Sequence, residues 1–185
     1  MKLAIPFNSD MDILWSEITA GLQGGEHAAR VMIRLIAAMV FGAAIGLQRE
    51  HANKPAGFRT HMLVSMGSAL FVIACTAAEW GPDPLSRVIQ GIATGIGFIG
   101  TGAILKRTDD FEIHGLTTAA GLWMTAAVGV TAGLGRVGFA AVGVVLTLIV
   151  LSVLHYFEIK AGLSDSAKAD KLRSEQKDSQ VSDDS

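Results

Sequence analysis

Five long apolar stretches, at about residues 31–47, 62–78, 88–105, 116–134 and 137–157, leave this chain little choice of environment. Wound as helices, runs of roughly 20 apolar residues match the hydrocarbon thickness of a bilayer. Charge is distributed to suit: residues 31–157 hold 14 of the 32 charged side chains in 127 positions, while the other 58 residues hold 18. Backbone amides in hydrocarbon must be hydrogen-bonded within the structure, and the stretches lack the polar alternation of barrel strands. The expected fold is an all-α integral membrane protein, a bundle of five transmembrane helices over residues 31–157. An N-terminal segment, 1–30, precedes it and a tail, 158–185, follows.

The flanks read differently from the middle. Asp10 can cap a short helix on which Ile13, Leu14, Trp15, Ile18 and Leu22 gather on one side and Asp12, Ser16, Glu17 and Gln23 on the other, the pattern of a short amphipathic interfacial helix. The opening residues lack the apolar core of a cleavable signal, so the first membrane helix is expected to target the chain. From Gly162 onward Ser, Asp and Lys dominate, and this cytoplasmic tail is expected to be disordered. A net charge of -2 gives no basic field for a nucleic acid. The single cysteine, Cys75, excludes an internal disulfide, a cysteine-based zinc site and a redox pair.

Orientation follows from the Lys and Arg residues between the stretches. Arg49, Lys54 and Arg59 lie in the first connection, Lys106 and Arg107 in the third, and five more basic residues in the tail. The opposite side has Lys2, Arg30, Arg87 and Arg136. The N-terminus is therefore expected outside and the C-terminus in the cytoplasm. Arg34, one turn into the first stretch, is expected to run its stem back to the headgroups.

Three segments are unusual. In the first, Gly42 and Gly46 have the small-xxx-small spacing of helix contacts; Gln48, Arg49 and Glu50 follow, and Arg59, Thr60 and His61 lead into the second stretch. The third stretch, VIQGIATGIGFIGTGAIL, carries Gly91, Gly95, Gly97, Gly100 and Gly102 with Gln90, Thr94 and Thr101. Each glycine weakens a helix by about 1 kcal/mol relative to alanine, so close packing is expected to compensate, with this helix central in the bundle. Its G-x-G-x-x-G lacks the strand and acidic residue of a dinucleotide site. Alternatively, its glycines break the helix and expose carbonyls to a permeating ion. In the third segment, Thr117 and Thr118 open the fourth helix, and Trp123 is expected to pack on the glycine surface.

Taken together, G-x-x-I-G-x-x-R-E, A-G-F-R-T-H, G-I-G-F-I-G-T-G and G-L-T-T-A-A-G-L-W resemble the MgtC/SapB family of bacterial inner-membrane proteins, over about residues 30–157. The family often has an acidic residue where this chain has Gln48, and some members add a cytoplasmic domain after the last helix, whose function is not expected of the 28 residues that follow Phe157 here. The resemblance implies a five-helix inner-membrane protein tied to growth under magnesium limitation and, in pathogens, to survival inside host cells. It also implies a modulator of other membrane machinery more than a magnesium carrier.

The topology adds that Gln48, Arg49, Glu50, Arg59, Thr60, His61, Lys106, Arg107, Thr117 and Thr118 fall at one membrane face. These residues are expected to form a polar site or docking surface, with Arg49 and Arg59 as cations able to grip a carboxylate or phosphate in two parallel bonds and Glu50 as their counter-charge. The alternative is a transporter or channel for a cation or small solute through the third helix, with Gln90 and Thr94 on the path. Mg²⁺ favours oxygen ligands, usually carboxylates, and no ionisable residue lies mid-span. An enzyme is not expected: the five histidines show no H-E-x-x-H spacing, and there is no G-x-S-x-G elbow or P-loop. No cofactor or resident metal is expected. The expected partners are the lipid bilayer, a second copy through small-xxx-small faces, and another membrane protein.

Overall fold

In the computed structural model the described residues are 9–19, 25–78, 82–106 and 113–160. They form six helices: α1 Ser9–Thr19, α2 Gly25–His51, α3 Phe58–Ala77, α4 Pro82–Ala103, α5 Leu116–Gly133 and α6 Val137–Lys160. Between α4 and α5 a two-residue antiparallel pair, β1 Leu105–Lys106 and β2 Ile113–His114, matches Leu105 to His114 and Lys106 to Ile113. The chain divides into two compact units at Val144. The described part of the second is the remainder of α6, an apolar helix from Val145 onward.

Three helices, α2, α3 and α5, are long and apolar enough to cross a membrane. Of the other two expected crossings, α4 has its hydropathy diluted by Gln90 and five glycines, and α6 is 24 residues long and apolar over at least Val137–Val153. At 27 residues α2 is about 40 Å long, more than the ~30 Å hydrocarbon core, so it begins before the expected Val31 and runs past Leu47.

Left-handed residues end two of these helices. After α2, Asn53 (φ 52°) lets its own amide and that of Lys54 bond back to the carbonyls of Glu50 and Arg49, at 3.0 and 3.1 Å. After α5, Gly135 (φ 79°) does the same with Arg136, toward Ala132 and Thr131, at 2.8 and 3.1 Å. Both are Schellman motifs, which satisfy carbonyls that a helix end would otherwise leave open. The second one also corrects the reading of Arg34. Rather than reaching for headgroups, its guanidinium Nη1 donates to Gly133 O at 3.2 Å, placing a cation at the negative end of α5.

Helix α3 is held from two sides by glycines. A β-carbon added at Gly46 on α2 would lie 2.7 Å from Phe58 Cα, and one at Gly42 would lie 2.9 Å from Ser65 Cβ. From α5, Gly129 and Gly133 approach Ser65 and Ala69 in the same way, each within 2.9 Å of the α-carbon. Two small-xxx-small pairs therefore clamp one strip of α3, the geometry by which helices pack where no hydrophobic force separates protein from lipid. Ala38, Ile45, Ala69, Val72, Leu122 and Ala132 are buried around that clamp.

The central helix is thus α5 and not the glycine-rich α4. Ten of the 18 residues of α5 are buried, whereas on α4 only Ile96 and Gly100 are. Packing against α5 uses one face of α4: Ile96 joins Leu122 and Ala126, with Ile92 and Ala103 packed alongside. Of the five glycines only Gly100 is covered, with Ala119 Cβ at 3.3 Å; an added β-carbon at Gly91, Gly95, Gly97 or Gly102 would meet nothing within 4 Å. The helix is continuous from Pro82 to Ala103, so the glycines do not break it as the permeation alternative requires. Trp123 is 53% exposed.

On α1, Met11, Leu14 and Trp15 are exposed and share a face, while Ile13 falls about 100° from Leu14. Leu22 and Gln23 lie outside the described residues, as does the tail from 161.

Candidate functional site

Four helix ends meet at one end of the first unit. The C-terminal turn of α2 reaches the first turns of α3 and α5 through side chains, and Gly115 (φ 95°) brings the start of α5 against the carbonyl of Ala103 at the end of α4. A side chain at Gly115 would collide with that carbonyl.

Arg49 stands at the centre. It lies in the last turn of α2, where the helix dipole favours a cation, yet it is 3% exposed. Its Nη2 donates to Thr118 Oγ1 at 2.8 Å and to Thr117 Oγ1 at 3.4 Å, the first a strong charge-assisted bond and the second a weak one. Thr118 is fully buried. A guanidinium withdrawn from water needs such partners, because an unsatisfied buried charge destabilises by several kcal/mol.

Beside this clasp lies a second buried polar group. His61, fully buried on α3, has Nδ1 2.7 Å from Thr125 Oγ1. The Thr125 hydroxyl donates its single proton to Gly121 O at 2.8 Å, so the imidazole must be the donor in its own bond with Thr125. Nε2 of His61 and Oγ of Ser65, one turn further along α3, have no hydrogen-bond partner among the described residues.

The remaining expected residues separate from this buried pair of contacts. Glu50 accepts from the amide of Phe58 at 3.0 Å through Oε2, capping α3, so its carboxylate serves a helix start. Glu50, Gly57, Phe58, Arg59 and Thr60 line an open depression of about 500 Å³, on which Glu50, Arg59 and Thr60 are exposed. Gln48 is half-buried, with Oε1 lacking a partner among the described residues. Lys106 is on β1, and Arg107 lies outside the described residues. Gln90, Thr94 and Thr101 are exposed along α4, Thr101 within one turn of its Ala103 end and Gln90 more than three turns away. Among the described residues, no group of three or more His, Cys, Asp or Glu side chains is placed to hold a metal ion.

Sequence reading missed Thr125, Ser65, Gly129 and Gly133. A signal existed on α5, where Thr118, Gly121 and Thr125 recur at helical spacing in an otherwise apolar run, and Gly129 and Gly133 repeat the spacing noticed at Gly42 and Gly46.

Comparison with known proteins bears on the same region. The MgtC family pattern matches residues 35–159. SrpB of Synechococcus elongatus is 45% identical over 130 residues, covering 64% of this chain and 71% of that protein. The Escherichia coli K12 protein named "Putative magnesium transporter YhiD" is 45% identical over 135 residues, 69% of this chain and 61% of its own length. MgtC of Brucella abortus is 41% identical over 121 residues, 65% of this chain and half of that protein. The chain therefore spans less than two thirds of YhiD and about half of the Brucella protein. No solved structure matches it.

Proposed function

The chain belongs to the MgtC family, and from that premise we propose that it is a five-crossing protein of the bacterial inner membrane that modulates other membrane machinery during adaptation to magnesium limitation. In this reading α4 and α6 complete the crossings begun by α2, α3 and α5, the N-terminus is outside, and the Arg49 end of the bundle faces the cytoplasm. Arg59, Thr60 and Glu50 form the exposed docking surface there, and the Arg49 clasp beneath holds α2, α3 and α5 in the arrangement that presents it. The chain carries no reaction of its own.

The observation that carries the proposal is the separation of glycine from any interior passage. On an unbroken α4, Gly97 and Gly102 face outward, and Gly91 and Gly95 line an open, apolar groove shared with α3. Gly42, Gly46, Gly129 and Gly133, which face inward, have neighbouring backbone where a side chain would go. What remains distinctive is the polar end, where an arginine, two threonines and a histidine are positioned across three helices.

The test is complementation of growth in low magnesium by a strain lacking the chain. Arg59→Lys, which keeps the charge and loses the bidentate fork, should fall to less than a tenth of wild-type complementation at equal membrane level. A fully active lysine variant would reduce Arg59 to an anchoring charge and remove the docking surface. Transport of magnesium, the activity in the name of the Escherichia coli relative, is the second reading. Saturable Mg²⁺ uptake into proteoliposomes, abolished by Thr94→Val or Gln90→Leu, would establish it in place of ours.

A further inference from the structure

We propose that Arg34 and Arg136 together bind the phosphodiester of an anionic phospholipid, at the end of the bundle away from Arg49. Arg34 is half-buried, and among the described residues its guanidinium makes one hydrogen bond, from Nη1 to Gly133 O at 3.2 Å. That bond fixes the group on the end of α5. It leaves the Nε–Nη2 edge, the one that grips a phosphate through two parallel bonds, without a partner among the described residues and open to the surface. Gly135 keeps this edge clear, since a β-carbon there would stand 2.8 Å from Nη2 and 3.0 Å from Nε. Arg136 is the next residue, exposed, with its guanidinium 5.9 Å from the centre of the Phe139 ring. Its side chain is long enough to meet the same anion.

Carboxylates do not neutralise this pair. Among the described residues of α2, α4 and the turn into α6, Arg30, Arg34, Arg87 and Arg136 stand at this end against Glu26 and Asp83. Glu26 pairs with Arg30 at 3.8 Å, and Asp83 pairs with neither Arg34 nor Arg136. Depth makes the excess matter. Thr118 and Gly133, which hold the guanidinium groups of Arg49 and Arg34, are fifteen residues apart on α5, about 22 Å, whereas the hydrocarbon core is about 30 Å thick. Helix tilt only shortens that span, so at least one of the two cations lies below the headgroup layer. Arg49 is enclosed by protein, and Arg34 is the one left open. A cation open at that depth is strongly unfavourable without a counter-charge.

The occupant follows from that position. A phosphodiester presents two oxygens to the open edge of Arg34 and keeps charge for Arg136. The acyl chains attached to it meet apolar surface, because Ile33 beside Arg34 and Phe139 beneath Arg136 are both exposed. A soluble anion would have to leave water to reach the same place, whereas a lipid is already there. Two guanidinium groups favour a phospholipid of net negative charge over a zwitterionic one, whose own cation competes for the phosphate.

The proposal rests on α2 and α5 crossing the bilayer, and labelling of Gly25→Cys and His51→Cys by an impermeant maleimide from opposite sides reports separately on α2. The site itself is tested by native mass spectrometry of the purified chain in detergent, titrated with phosphatidylglycerol, phosphatidylcholine or inorganic phosphate. The wild type should bind one phosphatidylglycerol about tenfold more tightly than phosphatidylcholine, the size of one charge-assisted hydrogen bond. Arg34→Lys keeps the charge and loses the two-bond edge, and should weaken phosphatidylglycerol about tenfold. Arg136→Gln, at an exposed position, should weaken it about threefold or more. Arg87→Gln, which removes another exposed arginine at the same end, should leave it unchanged. Equal binding of the two lipids, indifference to Arg34→Lys and Arg136→Gln, or an equal loss with Arg87→Gln would each overturn the proposal. So would inorganic phosphate binding as tightly as phosphatidylglycerol, or both α2 cysteines labelling from one side. If Arg34→Lys fails to accumulate, Arg136→Gln against Arg87→Gln decides.

Discussion

Replacing Thr118 by valine removes one hydroxyl and leaves the shape of the side chain nearly unchanged, which isolates the Arg49 clasp from packing. The bond lost is 2.8 Å long, is made to a charged donor and is fully buried on the threonine side. Hydrogen bonds to charged groups contribute about 1.5–3 kcal/mol in water-soluble proteins, and interhelical bonds in membranes about 0.6–1.7 kcal/mol. Arg49 retains Thr117 at 3.4 Å, a weak substitute. The expected loss is therefore about 1–2 kcal/mol, a factor of roughly 5–30 in the unfolding equilibrium. Steric-trap unfolding in bicelles measures that range directly. Thr117→Val, which removes only the long contact, should change stability by less than about 0.5 kcal/mol. The cycle Arg49→Met, Thr118→Val and the double variant should return a coupling of about 1 kcal/mol or more. If Thr118→Val and Thr117→Val cost the same, or the coupling vanishes, the clasp is incidental and its role in presenting a docking surface fails with it.

Other substitutions read the remaining geometry. Gly129→Ala should lose about 1–3 kcal/mol and much of its membrane level, because the new methyl has Ser65 backbone in its place, whereas Gly97→Ala, with open space around it, should be neutral or gain up to about 1 kcal/mol; equal losses at both positions would contradict the clamp. Arg34→Met should destabilise by about 0.5–2 kcal/mol through loss of the cation at the end of α5, and a null effect by thermal shift in detergent would return Arg34 to the headgroup role. Glu50→Ala should lose about 1 kcal/mol from the start of α3 by the same assay, with Glu50→Gln, which keeps an acceptor, losing less than half of that.

Helix existence was legible because hydrocarbon imposes it: the charge gap between residues 31 and 157 marks where water is absent, and backbone satisfaction does the rest. Convergence of the polar segments at one end was legible for the same reason, since helix ends alternate sides. Which polar residues would be buried was not. Arg49 and Arg59 look alike in the sequence, ten positions apart around a turn, yet one is enclosed by three helices and the other is open. Helix rotation decides that, and rotation is set by which small residues meet which backbones. The density of glycine on α4 suggested the most packed helix. Packing instead went to α2 and α5, whose glycines are fewer but are spaced four apart opposite one strip of α3. Glycine permits close approach without enforcing it.

Arg34 and Arg49 on α2 stand fifteen residues apart, and so do their partners on α5, Gly133 and Thr118. Equal intervals on antiparallel rods act as a vernier with a single coincidence. Sliding either helix by one turn, about 5.4 Å, would unseat both guanidinium groups together, so intermediate alignments have nothing to rest on. A force that shifted one of these helices lengthwise against the other would have to break both ends in one event.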